Sequence, residues 1–149
     1  MGVSVLHISS VASLEPAIRQ KVLTNLTDDE IESLLHDWRF FASENQIAPD
    51  WNWQIWLFLA GRGAGKTRSG SEWVRERVKA GCKRIALVAP TAADCREVMV
   101  EGESGILAVS WDKDKDVYGQ KIGRPIYEPS KRRLTWESGA IATTYSAEE

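Results

Sequence analysis

The stretch Ala60-Gly61-Arg62-Gly63-Ala64-Gly65-Lys66-Thr67 limits what this chain can fold into more than any other. An uncharged apolar run, Ile55-Trp56-Leu57-Phe58-Leu59, precedes it and has the length of a buried strand. Thr67 to Ala80 follows, with apolar residues at helical spacing. Strand, glycine loop and helix, in that order, let the backbone N–H groups of Gly61 to Thr67 curl into a nest for phosphate oxygens. The glycines let that backbone approach without a Cβ in the way. The pattern G-x-x-x-x-G-K-[ST] begins on Gly where this chain has Ala60, a minor departure if Ala60 keeps a negative φ.

The residue types then assign roles. Lys66 is placed to bridge the β and γ phosphates as a point charge, Thr67 offers a hydroxyl to Mg²⁺, and the helix that starts there aims its positive end at the anion. The predicted ligand is ATP or ADP with Mg²⁺. A glycine-rich turn with no nucleotide is the competing reading, and it requires Lys-Thr, the apolar run and the helix to coincide by chance.

A net charge of −2 removes any overall basic field, so contact with nucleic acid has to be local. The two cysteines, Cys82 and Cys95, are too few for a zinc site and are expected as free thiols. Met1 to Leu6 lacks the basic start of a signal peptide, and no apolar run approaches the ~20 residues that span a bilayer. The expectation is a cytoplasmic protein with no membrane contact.

Upstream of the loop, Ser13 to Leu23 reads as a short helix with Pro16 in its first turn. Thr27-Asp28-Asp29-Glu30 has capping-box spacing, and the helix it opens is expected to run to about Ser43, with Ile31, Leu34, Leu35, Trp38 and Phe41 on one packing stripe. His36 falls off that stripe as a surface histidine. Trp51, Trp53 and Trp56 form either a hydrophobic brace or a platform for a flat ring such as adenine. Gln46 and Gln54 are amides able to read an adenine edge, or are simply solvated.

Downstream, Trp73, Val74, Arg77 and Val78 are expected on the inner side of the loop's helix, and Glu72, Arg75, Glu76 and Lys79 on its outer face. Gly81 is its stop. Arg84 to Ala89 reads as a second buried strand, completing a right-handed βαβ unit with residues 55–59. Ala92 to Val100 is expected to be helical with Val98 buried. Asp112 to Asp116 reads as a solvated charge run in a loop that holds a short helix at Ile106 to Val109. Residues 133–136 and 140–145 flank Glu137-Ser138-Gly139, the three-residue connection of a hairpin with a bulge. Lys131-Arg132-Arg133 suits either a phosphate backbone or a charged β-edge.

Trp53-x-x-Trp56 leading into Leu59 to Arg68, Leu87-Val88-Ala89-Pro90-Thr91-Ala92-Ala93-Asp94, and Val98-Met99-Val100-Glu101-Gly102-x-Ser104-Gly105 together resemble the large terminase subunit of tailed bacteriophages and phage-derived gene transfer agents. Tyr127 to Trp136 and Gly139-Ala140 fit the same family, so the resemblance covers about residues 38 to 149. It implies an ATPase, a hydrolase that drives double-stranded DNA into a capsid. Its implied partners are DNA, a portal protein and a small terminase subunit, and its implied assembly is a ring of subunits.

Carried over, Gly61, Arg62, Gly63, Ala64, Gly65, Lys66 and Thr67 hold the triphosphate and Thr67 the Mg²⁺, with Lys66 and Arg62 as the catalytic cations. Arg62 resembles the family's loop arginine near the γ-phosphate, suited to transition-state stabilisation or nucleotide sensing; the plainer reading pairs it with a neighbouring acid. Gln46 corresponds to the family's adenine-side glutamine.

The family also has an apolar strand ending in Asp-Glu that holds Mg²⁺ and polarises water. No such run follows the loop here, and Glu148-Glu149 follow Ser146-Ala147. The chain therefore reads as the N-terminal part of the family pattern, lacking the nuclease domain, with hydrolysis by these residues alone weak or absent. The expected fold is α/β: an incomplete parallel sheet of P-loop NTPase type around 55–59 and 85–89, flanked by helices. Residues 1–50 form an N-terminal helical brace, 51–149 the ATPase domain, and a β-hairpin closes the chain. A different P-loop enzyme, helicase-like or a small kinase, and a non-enzymatic prophage remnant are the alternative readings.

Overall fold

The computed structural model describes residues 7–148; residues 1–6, and Glu149 of the Glu148-Glu149 pair, lie outside the described residues. The chain divides into two compact units, residues 1–56 and 57–149.

The first unit is helical. Helix α1 (Ile8–Ala12) is capped by His7, and α2 (Pro16–Thr24) starts on its proline, as the fixed φ of that residue favours. His7 Nε2 donates to the Ala42 carbonyl at 2.7 Å, tying the start of the unit to the end of its fourth helix.

Helix α3 (Asp28–Leu35) opens on the expected capping box: Thr27 accepts from the Glu30 N–H, and the Glu30 carboxylate accepts from the Thr27 N–H at 2.8 Å. That bond holds the Glu30 carboxyl below the usual carboxylate range.

The helix does not continue to Ser43. It ends at His36, and Asp37 caps a separate turn, α4 (Trp38–Phe41), by accepting from Arg39 N–H. A side chain that satisfies the first N–H groups of a new turn competes with helix continuation, and the apolar period runs through the break without registering it. Ile31, Leu35 and Phe41 are exposed, so the expected packing stripe is only partly used. His36 is half-buried, with Nδ1 bonded to the Glu32 carbonyl at 2.9 Å.

The second unit is an α/β layer: a four-stranded mixed sheet with helices against it. Its long helix, α5 (Lys66–Lys79), ends in a Schellman motif. Gly81 (φ 93°) donates to the Val78 carbonyl and Cys82 N–H donates to Arg77, so the predicted glycine stop holds. Strand β1 (Arg84–Ala89) follows, then α6 (Ala92–Asp94), which widens into a π-helical turn over Cys95–Val100, and α7 (Ile106–Val109). Strands β2 (Ile126–Glu128), β3 (Arg133–Thr135) and β4 (Ile141–Ser146) complete the sheet in the order β1-β4-β3-β2.

The β3–β4 hairpin matches its sequence signature. Gly139 (φ 78°) sits last in the three-residue connection, Trp136 N–H donates to the Ala140 carbonyl, and β4 then pairs parallel to β1, Arg84 opposite Ile141. The core packs Val74 and Val78 of α5 against Leu87, Val100, Ile106, Leu134, Trp136 and Ala142.

Several expectations are corrected here. Residues 55–59 form no strand, and Ile55, Leu57 and Leu59 are 86%, 72% and 82% exposed, so the parallel pair is β1 with β4 and no βαβ unit forms through 55–59. Apolar content signals a demand for burial, whereas a strand also needs a free ladder beside it. Val98 is 45% exposed, because the wider π turn rotates it out while Cys95 and Val100 take the inner positions. Arg133 lies in β3, which is flanked by β4 and β2, so it is not on a sheet edge; it and Lys131 pair with Glu128.

Candidate functional site around the glycine loop

The loop of residues 61–67 is built by two glycines in the left-handed region. Gly63 has φ 81°, and Gly65, the N-cap of α5, has φ 77° and ψ 21°. L residues adopt this region at a cost, so the turn into α5 depends on glycine at both positions. A Cβ added at Gly61 or Gly63 meets no atom within 4 Å, so the space beside both glycines is open.

Lys66 folds back over this turn. Its Nζ donates to the carbonyls of Ala60, at 2.9 Å, and Gly61, at 2.6 Å. The ammonium is thereby held at the mouth of the loop on two neutral acceptors, which an anionic acceptor outcompetes. Ser69 reinforces the turn, its N–H and Oγ both donating to the Gly65 carbonyl. Thr67 is half-buried beside Lys66 on the first turn of α5.

Two cavities adjoin the loop. One, of about 540 Å³, has Arg62 to Arg68 on one wall and Glu97, Val98, Gly102, Glu103 and Ser104 on the other. The other, of about 710 Å³, is a mostly apolar groove between α5 and β1, bordered by Thr67, Trp73, Val74, Leu87 and Val98. The second wall of the smaller cleft is held by close packing. A Cβ on Gly102 would fall 2.7 Å from the carbonyl oxygens of Glu97 and Val98, and one on Gly105 would fall 2.6 Å from that of Val100. Only glycine lets the 101–105 turn fold this tightly against the π turn.

The structure thus brings Gly61, Arg62, Gly63, Ala64, Gly65, Lys66 and Thr67 together on one continuous turn. Arg62 is exposed and makes no ion pair among the described residues, so the reading that paired it with a neighbouring acid is not what forms. Gln46 belongs to the first unit, where its Oε1 accepts from Ser43 N–H at 3.0 Å and caps a short 3₁₀ turn. In the same unit Trp53 donates to the Pro49 carbonyl and tilts against Trp56 at 6.2 Å, while Trp51 is 71% exposed.

Glu72 and Arg75, expected on the outer face of α5, are 1% and 5% exposed, while Arg77, expected inside, is exposed. Asp114, expected within a solvated charge run, is 2% exposed. They form one buried chain. Glu72 Oε1 accepts from Arg68 at 2.7 Å, Glu72 Oε2 from Arg75 at 3.1 Å, and both Asp114 oxygens from Arg75 at 2.6 Å. Burial opposes the charge on Arg75, and the bonds and charges of Asp114 and Glu72 outweigh it, holding its pKa above the ordinary arginine value. The spacing puts them on one face: Arg68, Glu72, Arg75 and Lys79 recur at four, three and four, the helical pitch, and the middle two are the buried pair.

Fold and site together define an α/β unit with a four-stranded mixed sheet flanked by helices and a glycine-lysine turn at the N-terminus of its longest helix. No family model, curated protein or solved structure matches the chain. Among the described residues no helix is long and apolar enough to cross a membrane, and no group of three or more His, Cys, Asp or Glu is placed to hold a metal ion.

Proposed function

We propose that the 61–67 loop is a P-loop that binds ATP or ADP with Mg²⁺, and that the chain is the ATP-binding portion of a phage-type DNA-packaging motor, a large terminase subunit. The observation that carries the nucleotide reading is Lys66 held by the loop's own carbonyls at 2.9 and 2.6 Å, on a turn whose glycines open toward the 540 Å³ cleft. A triphosphate entering there meets backbone N–H groups, the Lys66 ammonium and the positive end of α5. Arg62, exposed at the cleft wall, is the cation available to a developing γ-phosphate charge.

Mg²⁺ keeps several waters and is commonly held by substrate phosphates with one or two protein oxygens. Thr67, bordering both cavities, suits that partial role, so the cation arrives with the nucleotide. The packaging reading, with double-stranded DNA, a portal protein and a small subunit as partners in a ring, rests on the motif resemblance alone.

Titration with a fluorescent ATP analogue, with and without Mg²⁺, tests the first part: saturable binding that Lys66→Ala abolishes is expected. Binding unchanged in Lys66→Ala would sink the P-loop assignment. For the second part, turnover is expected to be slow and to rise with duplex DNA. Phosphoryl transfer to a small acceptor, without a DNA effect, would favour a kinase.

A further inference from the structure

We propose that Arg68 is a second phosphate-binding cation of the 61–67 cleft, set in place by the buried Glu72 carboxylate; this rests on the nucleotide reading above. Arg68 follows Thr67 on the first turn of α5 and borders the same cleft as Arg62 to Lys66. Its side chain is 40% exposed, yet its Nε and Nη2 both donate to one oxygen of Glu72, at 2.9 and 2.7 Å. Glu72 is 1% exposed, which makes the pair unlike an ordinary surface ion pair.

A carboxylate at that depth is tolerated only when both oxygens are paired, and Arg75 takes the second one. Arg75 is in turn fixed by Asp114, whose backbone carbonyl accepts from Ile122 and Gly123 N–H groups. Arg68, Glu72 and Arg75 along α5, followed by Asp114 from the loop after α7, alternate in sign, and the Arg68 end of this chain borders the cleft.

This arrangement removes rotamer freedom from Arg68 before any anion arrives, so less entropy is lost when one binds. It also explains why the position carries arginine. A planar fork bonds the carboxylate on one edge while presenting charge to the cleft, whereas a lysine ammonium is a compact point donor. The ligand class is the phosphate chain of a nucleoside di- or triphosphate, met by Lys66 at the loop mouth and by Arg68 one position beyond Thr67.

The test is titration of the full chain with fluorescent ATP at several salt concentrations, beside thermal unfolding without nucleotide, for wild type, Lys66→Ala, Arg68→Gln, Arg68→Lys and Glu72→Gln. Loss of one charge-assisted contact predicts roughly tenfold weaker binding for Arg68→Gln, with a shallower salt dependence. Arg68→Lys is expected to recover part of that loss, and Glu72→Gln to weaken binding through Arg68 while keeping the salt slope. Wild-type affinity and salt slope in Arg68→Gln, with binding lost in Lys66→Ala, would overturn this inference and leave the nucleotide reading standing. Absence of wild-type binding would overturn the nucleotide reading itself. Should Glu72→Gln fail to fold, the two Arg68 variants, on a partly exposed side chain, still decide the matter.

Discussion

Arg75 on α5 and Asp114 in the loop after α7 stand 39 residues apart and meet through two bonds of 2.6 Å, with both side chains almost wholly removed from water. Cutting one partner leaves an uncompensated buried charge. Asp114→Ala is therefore expected to destabilise the second unit by about 3–5 kcal/mol, whereas replacing the whole buried group, Glu72→Leu and Arg75→Met with Asp114→Leu, should recover much of that loss. Hydrogen exchange of α5 amides under native conditions reads the effect locally. A single-variant loss of a few tenths of a kcal/mol would show that the pair does not hold the loop to the helix.

That pair also marks where sequence reading ran out. Local signals were legible because their physics is local: the Thr27–Glu30 capping box, the Gly81 stop, the Gly139 hairpin turn and the glycine loop all depend on a few consecutive residues. Glu72, Arg75 and Asp114 read as exposed from sequence because charge predicts exposure until a distant partner is known, and Arg75 and Asp114 stand 39 residues apart. Ile55 to Leu59 failed in the opposite direction, since apolar content cannot report whether a ladder is open to receive it. Ser104 stands out in the sequence only as part of a family-like block and Glu103 not at all; their place on the far wall of the cleft comes from the turn that Gly102 and Gly105 form by packing on carbonyls.

The glycines of the loop should separate into two kinds. Gly63→Ala and Gly65→Ala force an L residue into the left-handed region, costing roughly 1–2 kcal/mol each. Gly61 has no positive φ and no neighbour within 4 Å of an added Cβ, so Gly61→Ala should leave the unliganded melting temperature within a degree or two, on the order of the shift from a few tenths of a kcal/mol. If ATP seats over Gly61, the same variant loses affinity without losing stability. Equal effects of all three on the unliganded protein would contradict this division.

Gly102 and Gly105 carry a different constraint, close approach instead of φ. Alanine at either position puts a methyl group against a backbone oxygen 2.6–2.7 Å away, and backbone yields poorly. Overpacking of this kind costs typically about 1–3 kcal/mol. The variants should lower the denaturation midpoint and loosen exchange protection through Cys95–Val100, whereas Gly119→Ala, strained by φ but open in space, should leave that turn protected. Unchanged protection in Gly102→Ala would mean the 101–105 turn packs less tightly than described.

The acid side of the stability profile follows from two glutamates, one in each unit, Glu30 exposed and Glu128 half-buried. Hydrogen bonds from Lys131 and then Arg133 hold the Glu128 carboxyl below the ordinary glutamate value of 4.5, and the Thr27 backbone N–H does the same for Glu30. A depressed folded pKa contributes stability that is fully present above the unfolded value and is lost as pH falls through the folded one. Wild type should therefore melt above Glu128→Gln and above Glu30→Gln at pH 7. Both gaps should shrink as pH drops below about 4.5, where the wild-type carboxyls take up their protons. Melting curves of the three proteins between pH 7 and pH 3 check this directly; a gap that stays constant, or widens, as the solution is acidified would show that these contacts do not depend on the charge of the carboxylates.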